Sequence, residues 1–199
     1  MLPAPGGGPG FNVASADPLE RAAAVDQYKL VADLCTEWGG EILMYVAGWQ
    51  TFGTSRQQAW DWCRSALDDI ASSTDLTVCI EPTSADSNLI DSCDDVLSLM
   101  DQVNRPNVAA MFDTYHTLYR NEVPTDYVYR LGKRLKHLHL SEANREPPGA
   151  GAIDFPLLIR ALRDIGYEGY LTMEIGFNRR AVDPDHMARA AFEYLKTIL

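Results

Sequence analysis

From Asp17 onward the chain alternates two kinds of apolar pattern. The stretch "SADPLERAAAVDQYKLVADLCTEWGG" carries apolar residues at helical spacing, with Asp17 placed as an N-cap, Pro18 at the first helical position and Gly39-Gly40 as a stop. "ILMYVAG", residues 42–48, follows at once. It is too apolar for a one-sided antiparallel strand and short enough for a strand buried on both faces. The same unit then recurs. Helix "SRQQAWDWCRSALDDIASS" leads to strand "LTVCIEP", "SCDDVLSLMDQV" to "NVAAMFDTYH", and "TDYVYRLGKR" to "LKHLHLSE". "DFPLLIRALRDIG", with Asp154 as cap and Gly166 as stop, leads to "GYLTMEIGF", and a closing helix occupies "PDHMARAAFEYLKTIL".

Five strands set between helices at intervals of roughly 30 residues indicate βαβ units and a parallel sheet, because parallel neighbours need a crossover. The fold class is therefore α/β, and element order alone fits both a doubly wound sheet and a barrel. A chain of 199 residues that is 46% hydrophobic can bury one sizeable core, so residues 1–199 are read as a single domain with an irregular opening loop over 1–16. The net charge of −11 repels phosphate backbones and anionic membrane surfaces, which argues against nucleic acid and membrane partners. Cys35, Cys63, Cys79 and Cys93 form no C-x-x-C pair. The start "MLPAPGGGPGFN" lacks the marks of a signal peptide, and no apolar window reaches the roughly 18 residues a membrane span needs. These features predict a soluble, cytoplasmic protein with reduced thiols.

In parallel α/β folds, ligands bind beyond the carboxyl ends of the strands. Four consecutive strands end in a polar residue: Glu81 after "TVCI", Asp113 after "AAMF", His139 within "HLHL" and Glu174 after "YLTM", each about one βα unit from the next. A single acid at a strand end is more often a helix cap than a ligand, but independent caps have no reason to recur in register. Converging, three carboxylates and an imidazole would repel one another without a cation, and they form a hard, oxygen-rich donor set. Such a set suits Mn²⁺, Mg²⁺ or Co²⁺ and accepts Zn²⁺. His137 shares a face with His139 by the two-residue period of a strand, and is read as a deeper, hydrogen-bonded core histidine.

With these residues in place, the chain resembles the xylose isomerase-like TIM-barrel superfamily, in its sugar isomerase and epimerase branch. The resemblance rests on "IEP" (Glu81), "DTYH" (Asp113), "HLH" (His139) and "MEI" (Glu174), which in that branch bind one divalent metal ion, commonly Mn²⁺. It also covers "NREPPGAGAIDF", similar to the family's "NR…PG.G.IDF" loop, and implies substrate binding by Arg145; His116 matches a residue that contacts substrate hydroxyls. One departure is that ketose 3-epimerases follow the first glutamate with an "NR" pair and a second substrate-binding glutamate, where this chain has Ser84, Ala85 and Ser87. A (β/α)₈ barrel takes eight strands and typically about 250 residues. The opening "LPAPGGGPGFNVASADPLER" looks like the loop after the family's third strand, so the resemblance implies a barrel lacking its first three strands. "ILMYVAG" is then an open sheet edge that another copy can cover, making an oligomer.

The resemblance implies metal-assisted isomerisation or epimerisation of a polyhydroxy carbonyl compound through an enediolate, with Glu81 and Glu174 as general base and acid as well as ligands. Trp49 and Gln50, just beyond "VAG", are placed in the wall of the substrate site, with ordinary packing as the equal alternative for the aromatic ring. A lyase of the same superfamily, a keto-inositol dehydratase or C-glycoside-cleaving enzyme, runs through the same enediolate and is the alternative. An abasic-site endonuclease shares the fold but needs many histidine ligands and a basic DNA face, against four histidines and a charge of −11 here. A reading of another class is an inactive truncated barrel serving as an interaction subunit.

Overall fold

The computed structural model describes residues 11–84, 86–176 and 183–199. Most of the expected opening loop, Ala85 of the "EPTSADSN" stretch and Phe177 at the end of the expected last strand lie outside the described residues. The elements alternate as the sequence predicts: α1 (Pro18–Glu37), β1 (Ile42–Tyr45), α2 (Arg56–Ser72), β2 (Thr77–Ile80), α3 (Cys93–Val103), β3 (Val108–Asp113), α4 (Thr114–Tyr119), α5 (Pro124–Leu131), β4 (Leu135–Leu140), α6 (Phe155–Asp164), β5 (Tyr170–Met173) and α7 (Pro184–Ile198). The five strands lie in chain order, β1-β2-β3-β4-β5. Compactness divides the chain inside β3, into Met1–Met111 and Phe112–Leu199.

In the first unit, local chemistry sets the helix starts. The Asp17 side chain accepts the Leu19 N–H at 2.9 Å, and Ser55 and Gln58 close a reciprocal capping box at the head of α2. β1 and β2 pair in parallel from Ile42↔Thr77 to Tyr45↔Ile80, and β2 and β3 from Val78↔Val108 to Ile80↔Ala110. The alternation along β1 is that of a strand between two apolar layers. Ile42 and Met44 pack on Cys79, Ala109 and Met111, while the Tyr45 hydroxyl donates to the Cys63 carbonyl of α2 at 2.8 Å. Beyond β1, the Tyr28 hydroxyl of α1 accepts the Val46 N–H at 3.0 Å, which orders the start of the loop.

In the second unit β4 and β5 pair in parallel from His137↔Tyr170 to Leu140↔Met173. Asp154 caps α6 by accepting the Leu157 N–H at 2.9 Å, and Phe155, Leu158, Ile159, Ala161 and Leu162 form its buried face. Two elements differ from the sequence pattern. The strand expected to run through "NVAAMFDTYH" stops at Asp113, because the Asp113 carboxylate accepts the Tyr115 N–H and starts α4. The helix expected over "TDYVYRLGKR" ends at Leu131, where Gly132 takes φ 53 and a 3₁₀ turn follows. Among the described residues, no helix is long and apolar enough to cross a membrane.

Candidate metal centre

Four residues of the second unit meet past the strand ends. Asp113, the last residue of β3, is fully buried. Its Oδ1 accepts the Tyr115 N–H at 2.8 Å and the Ser141 hydroxyl at 3.2 Å, which leaves Oδ2 for other work. Helix cap and site residue are thus two oxygens of one carboxylate. His139, buried on β4, brings Nδ1 to 2.8 Å from Glu174 Oε2 and 4.0 Å from Asp113 Oδ2. Glu174 follows β5 directly and is fixed by its N–H, which donates to the Leu140 carbonyl at 3.1 Å. Asp113, His139 and Glu174 each offer a ligand atom within 4.8 Å of the others.

Arg145 is the fourth. It sits with Asn144 on a short turn after β4, both in the left-handed region at φ 60 and 57, a conformation that costs a non-glycine residue energy and marks a position held for a purpose. Its Nη1 contacts Asp113 Oδ2, lies 3.0 Å from Glu174 Oε2 and 3.3 Å from the Ser141 hydroxyl, and its guanidinium stacks 4.4 Å above the Tyr115 ring. Nη2 stands 3.5 Å from Nε2 of His116, which is buried on α4. The Arg145 carbonyl accepts the Gly176 N–H at 2.7 Å, tying this turn to the segment after β5.

Two supporting groups surround the cluster. His137 lies edge-on to His139 with ring centroids 5.1 Å apart, and its Nε2 is 3.1 Å from the Thr172 hydroxyl of the paired strand. Glu142 was not singled out by the sequence pattern. It is buried, and its Oε2 accepts the N–H groups of Ala152 and Ile153 at 3.0 and 3.2 Å, holding the Gly-rich end of the Arg145 loop. The available signal was an acid in "SEANR" just before "GAGA", where backbone donors crowd.

The carboxylates titrate as a pair. Burial, reinforced by Glu174, pushes Asp113 up to about 7. Burial acts against the charge of Glu174 too, but hydrogen bonds from His139 and Asp113 and the charge of Arg145 hold it down to about 2. Burial and the neighbouring His139 lower His137 to about 4, so it is a neutral ring at ordinary pH. Two carboxylate oxygens and one imidazole nitrogen at this spacing fit a hard divalent cation.

In the first unit, Glu81 follows β2, is buried, and donates its N–H to the Tyr45 carbonyl at 3.0 Å. Trp49 follows β1 on a loop whose main chain is bound on both sides. Asn12 Oδ1 accepts the Trp49 N–H at 3.0 Å, Asn12 Nδ2 donates to the Trp49 carbonyl at 2.8 Å, and the Ser87 hydroxyl donates to the Gly48 carbonyl at 2.7 Å. A Cβ at Gly48 would fall on the Asn12 side chain, so this close approach requires glycine there. Ser87, one of the residues standing in place of the ketose-epimerase pattern, is thus a loop anchor.

The architecture has close relatives. The structure of D-psicose 3-epimerase from Clostridium cellulolyticum H10 with D-tagatose aligns with a TM-score of 0.86 at 23% identity, over 98% of this chain and 76% of that one. Fructoselysine 3-epimerase of Escherichia coli O157:H7 is 27% identical over 95% of this chain and 72% of its own length. D-psicose 3-epimerase of Enterocloster bolteae is 35% identical over 86 residues, 43% of this chain and 29% of that protein. The long sequence match and the aligned structure are both sugar epimerases, and the architecture is that of a TIM barrel, with five βα units among the described residues. The family model for the xylose isomerase-like TIM barrel matches residues 2–198, and the chain belongs to that family.

Proposed function

We propose that this chain carries the metal-dependent epimerisation or isomerisation of a ketose-like sugar or related polyhydroxy carbonyl compound. The observation that carries the reading is the meeting of Asp113 Oδ2, His139 Nδ1 and Glu174 Oε2 past the ends of three successive strands. Glu81, buried at the same position on the preceding strand, is the proposed fourth ligand. A divalent ion there, Mn²⁺ by preference and Mg²⁺, Co²⁺ or Zn²⁺ as substitutes, supplies Lewis acidity that makes the C–H beside a carbonyl acidic.

The chain's own residues do the rest. Glu174 and Glu81 exchange protons with opposite faces of the carbon, one taking a proton and the other returning one, which inverts the centre. Arg145 and His116 bind substrate oxygens, and Trp49 walls the sugar. The names of the matched proteins support a ketose or a sugar-amine conjugate as substrate. Cys63, Cys79 and Cys93 are buried as small apolar side chains, and the cytoplasm is the proposed setting.

The test is to incubate the metal-loaded protein with ketoses, fructose-amine conjugates, inososes and C-glycosides in D₂O and follow them by NMR. Deuterium entering at the carbon next to the carbonyl, together with the epimeric product, is the expected result. Exchange followed by loss of water or of an aglycone would make the protein a lyase. No exchange by a protein shown to bind metal would remove the catalytic reading.

A further inference from the structure

Arg145 holds the two oxygens that the proposed ion needs. Asp113 has committed Oδ1 to the head of α4 and to Ser141, so Oδ2 is its available ligand atom, and Arg145 Nη1 lies on that atom. The same nitrogen is 3.0 Å from Glu174 Oε2, the oxygen facing His139. A guanidinium hydrogen and a metal ion cannot occupy the same lone pair of a carboxylate oxygen, and one positive charge between two carboxylates offsets their repulsion only in part.

The surroundings let the side chain leave without moving the loop. The Arg145 main chain is fixed by the Gly176 N–H and by its own N–H, which donates to the Glu142 carbonyl at 3.2 Å. The side chain is 23% exposed, and its guanidinium carbon sits 4.4 Å from the centre of the Tyr115 ring, a cation–π contact that persists while the cation stays within about 6 Å of the ring.

We propose that Arg145 is a built-in competitor of the divalent ion: it bridges Asp113 and Glu174 before the metal binds, and metal binding drives its guanidinium off them toward the substrate. This rests on the metal-site reading given above and adds an order of events, metal before sugar, because displacement frees the Nη1 hydrogens that the two carboxylates hold and lets them reach sugar oxygens.

The experiment uses the whole chain. Calorimetric titration with Mn²⁺ compares the wild type with Arg145→Gln, circular dichroism confirming that the variant is folded. Separately, side-chain NMR of ¹⁵N-arginine-labelled wild type follows the Arg145 guanidinium, assigned by its loss in Arg145→Lys, while diamagnetic Mg²⁺ or Zn²⁺ is added. The expected outcome is roughly tenfold to a hundredfold tighter Mn²⁺ binding in Arg145→Gln, the range of one charge-assisted hydrogen bond, with guanidinium signals that are rotationally hindered in chelator-treated protein and released at saturation. If Arg145→Gln fails to fold, the wild-type NMR titration decides alone. Metal that binds the wild type while the guanidinium signals stay hindered overturns the inference and leaves the metal site standing. Failure of Mn²⁺, Mg²⁺, Co²⁺ and Zn²⁺ alike to bind the wild type overturns the metal site and the inference with it.

Discussion

Glu142 and Gly151 show how little space the Arg145 loop leaves. A Cβ at Gly151 would fall on the Glu142 carboxylate, which already binds two backbone N–H groups of that loop. Gly151→Ala should therefore cost about 1–3 kcal/mol, the scale of overpacking a filled site, read as a lower midpoint in urea. Glu142→Ala should cost a similar amount by leaving both donors unsatisfied, about 1–3 kcal/mol each before water returns. His137 gives a pH signature. Its folded pKa is lowered to about 4 from 6.5, so the stability it contributes is present above about pH 6.5 and is lost as pH falls toward 4. In chelator-treated protein, urea unfolding at a series of pH values should show the wild type losing more stability on acidification than His137→Gln. The residue types at these positions were legible in the sequence, and so was the shared face of the two histidines. The contact of Glu142 with Ala152 and Ile153 was not, because a buried acid that takes backbone N–H groups on one oxygen leaves no periodic trace.

At the scale of elements, the caps were the most legible feature. Asp17 and Asp154 each accept an N–H at the start of a helix, as a short polar residue before an apolar run announces, and the structure adds Ser55 to them. Strand ends were less legible. Thr114 and Tyr115 past Asp113 are residue types that strands favour, and the competition between ladder pairing and side-chain capping ends the strand there and makes α4. Asp113 therefore invites a separation of roles. Asp113→Asn keeps an oxygen for the Tyr115 N–H and should hold the fold within about 1 kcal/mol, while weakening Mn²⁺ binding sharply through the lost charge. Asp113→Ala should lose both. Chemical denaturation and metal titration of the two variants distinguish a residue that caps from one that also binds.

For the molecule as a whole, the count of the strands came directly from the repeated βα pattern, because each crossover needs a helix of readable period, whereas their order came only with the resemblance to a barrel, since the pattern alone fits a doubly wound sheet as well. β1 stands at one end of the strand order, and its side chains belong to a strand covered on both faces: Ile42 and Met44 on one, Leu43 and Tyr45 on the other. An apolar edge with unpaired backbone groups invites another chain. Light scattering should show self-association of the purified protein that grows with concentration, and Met44→Lys should reduce it; a monodisperse monomer at all concentrations would count against an open edge. The net charge of −11 makes salt part of that measurement, since screening removes the repulsion that keeps copies apart.

The double clamp of Asn12 on Trp49, with Ser87 holding Gly48, has a bearing on how such a protein can change over time. All three bonds on this loop end on main-chain atoms, so the course of the loop is independent of which side chain residue 49 carries. Asn12, Gly48 and Ser87 hold the main chain as a chassis, and the side chain at position 49 takes no part in those three bonds. With Trp49 in the proposed role of a wall for the sugar, a library randomised at residue 49 alone should be populated by folded proteins that differ in the sugars they accept, whereas one randomised at Asn12 or Gly48 should be populated mainly by proteins that have lost the loop. Selection for a new substrate thus has one inexpensive step available to it, and its location is written in the backbone.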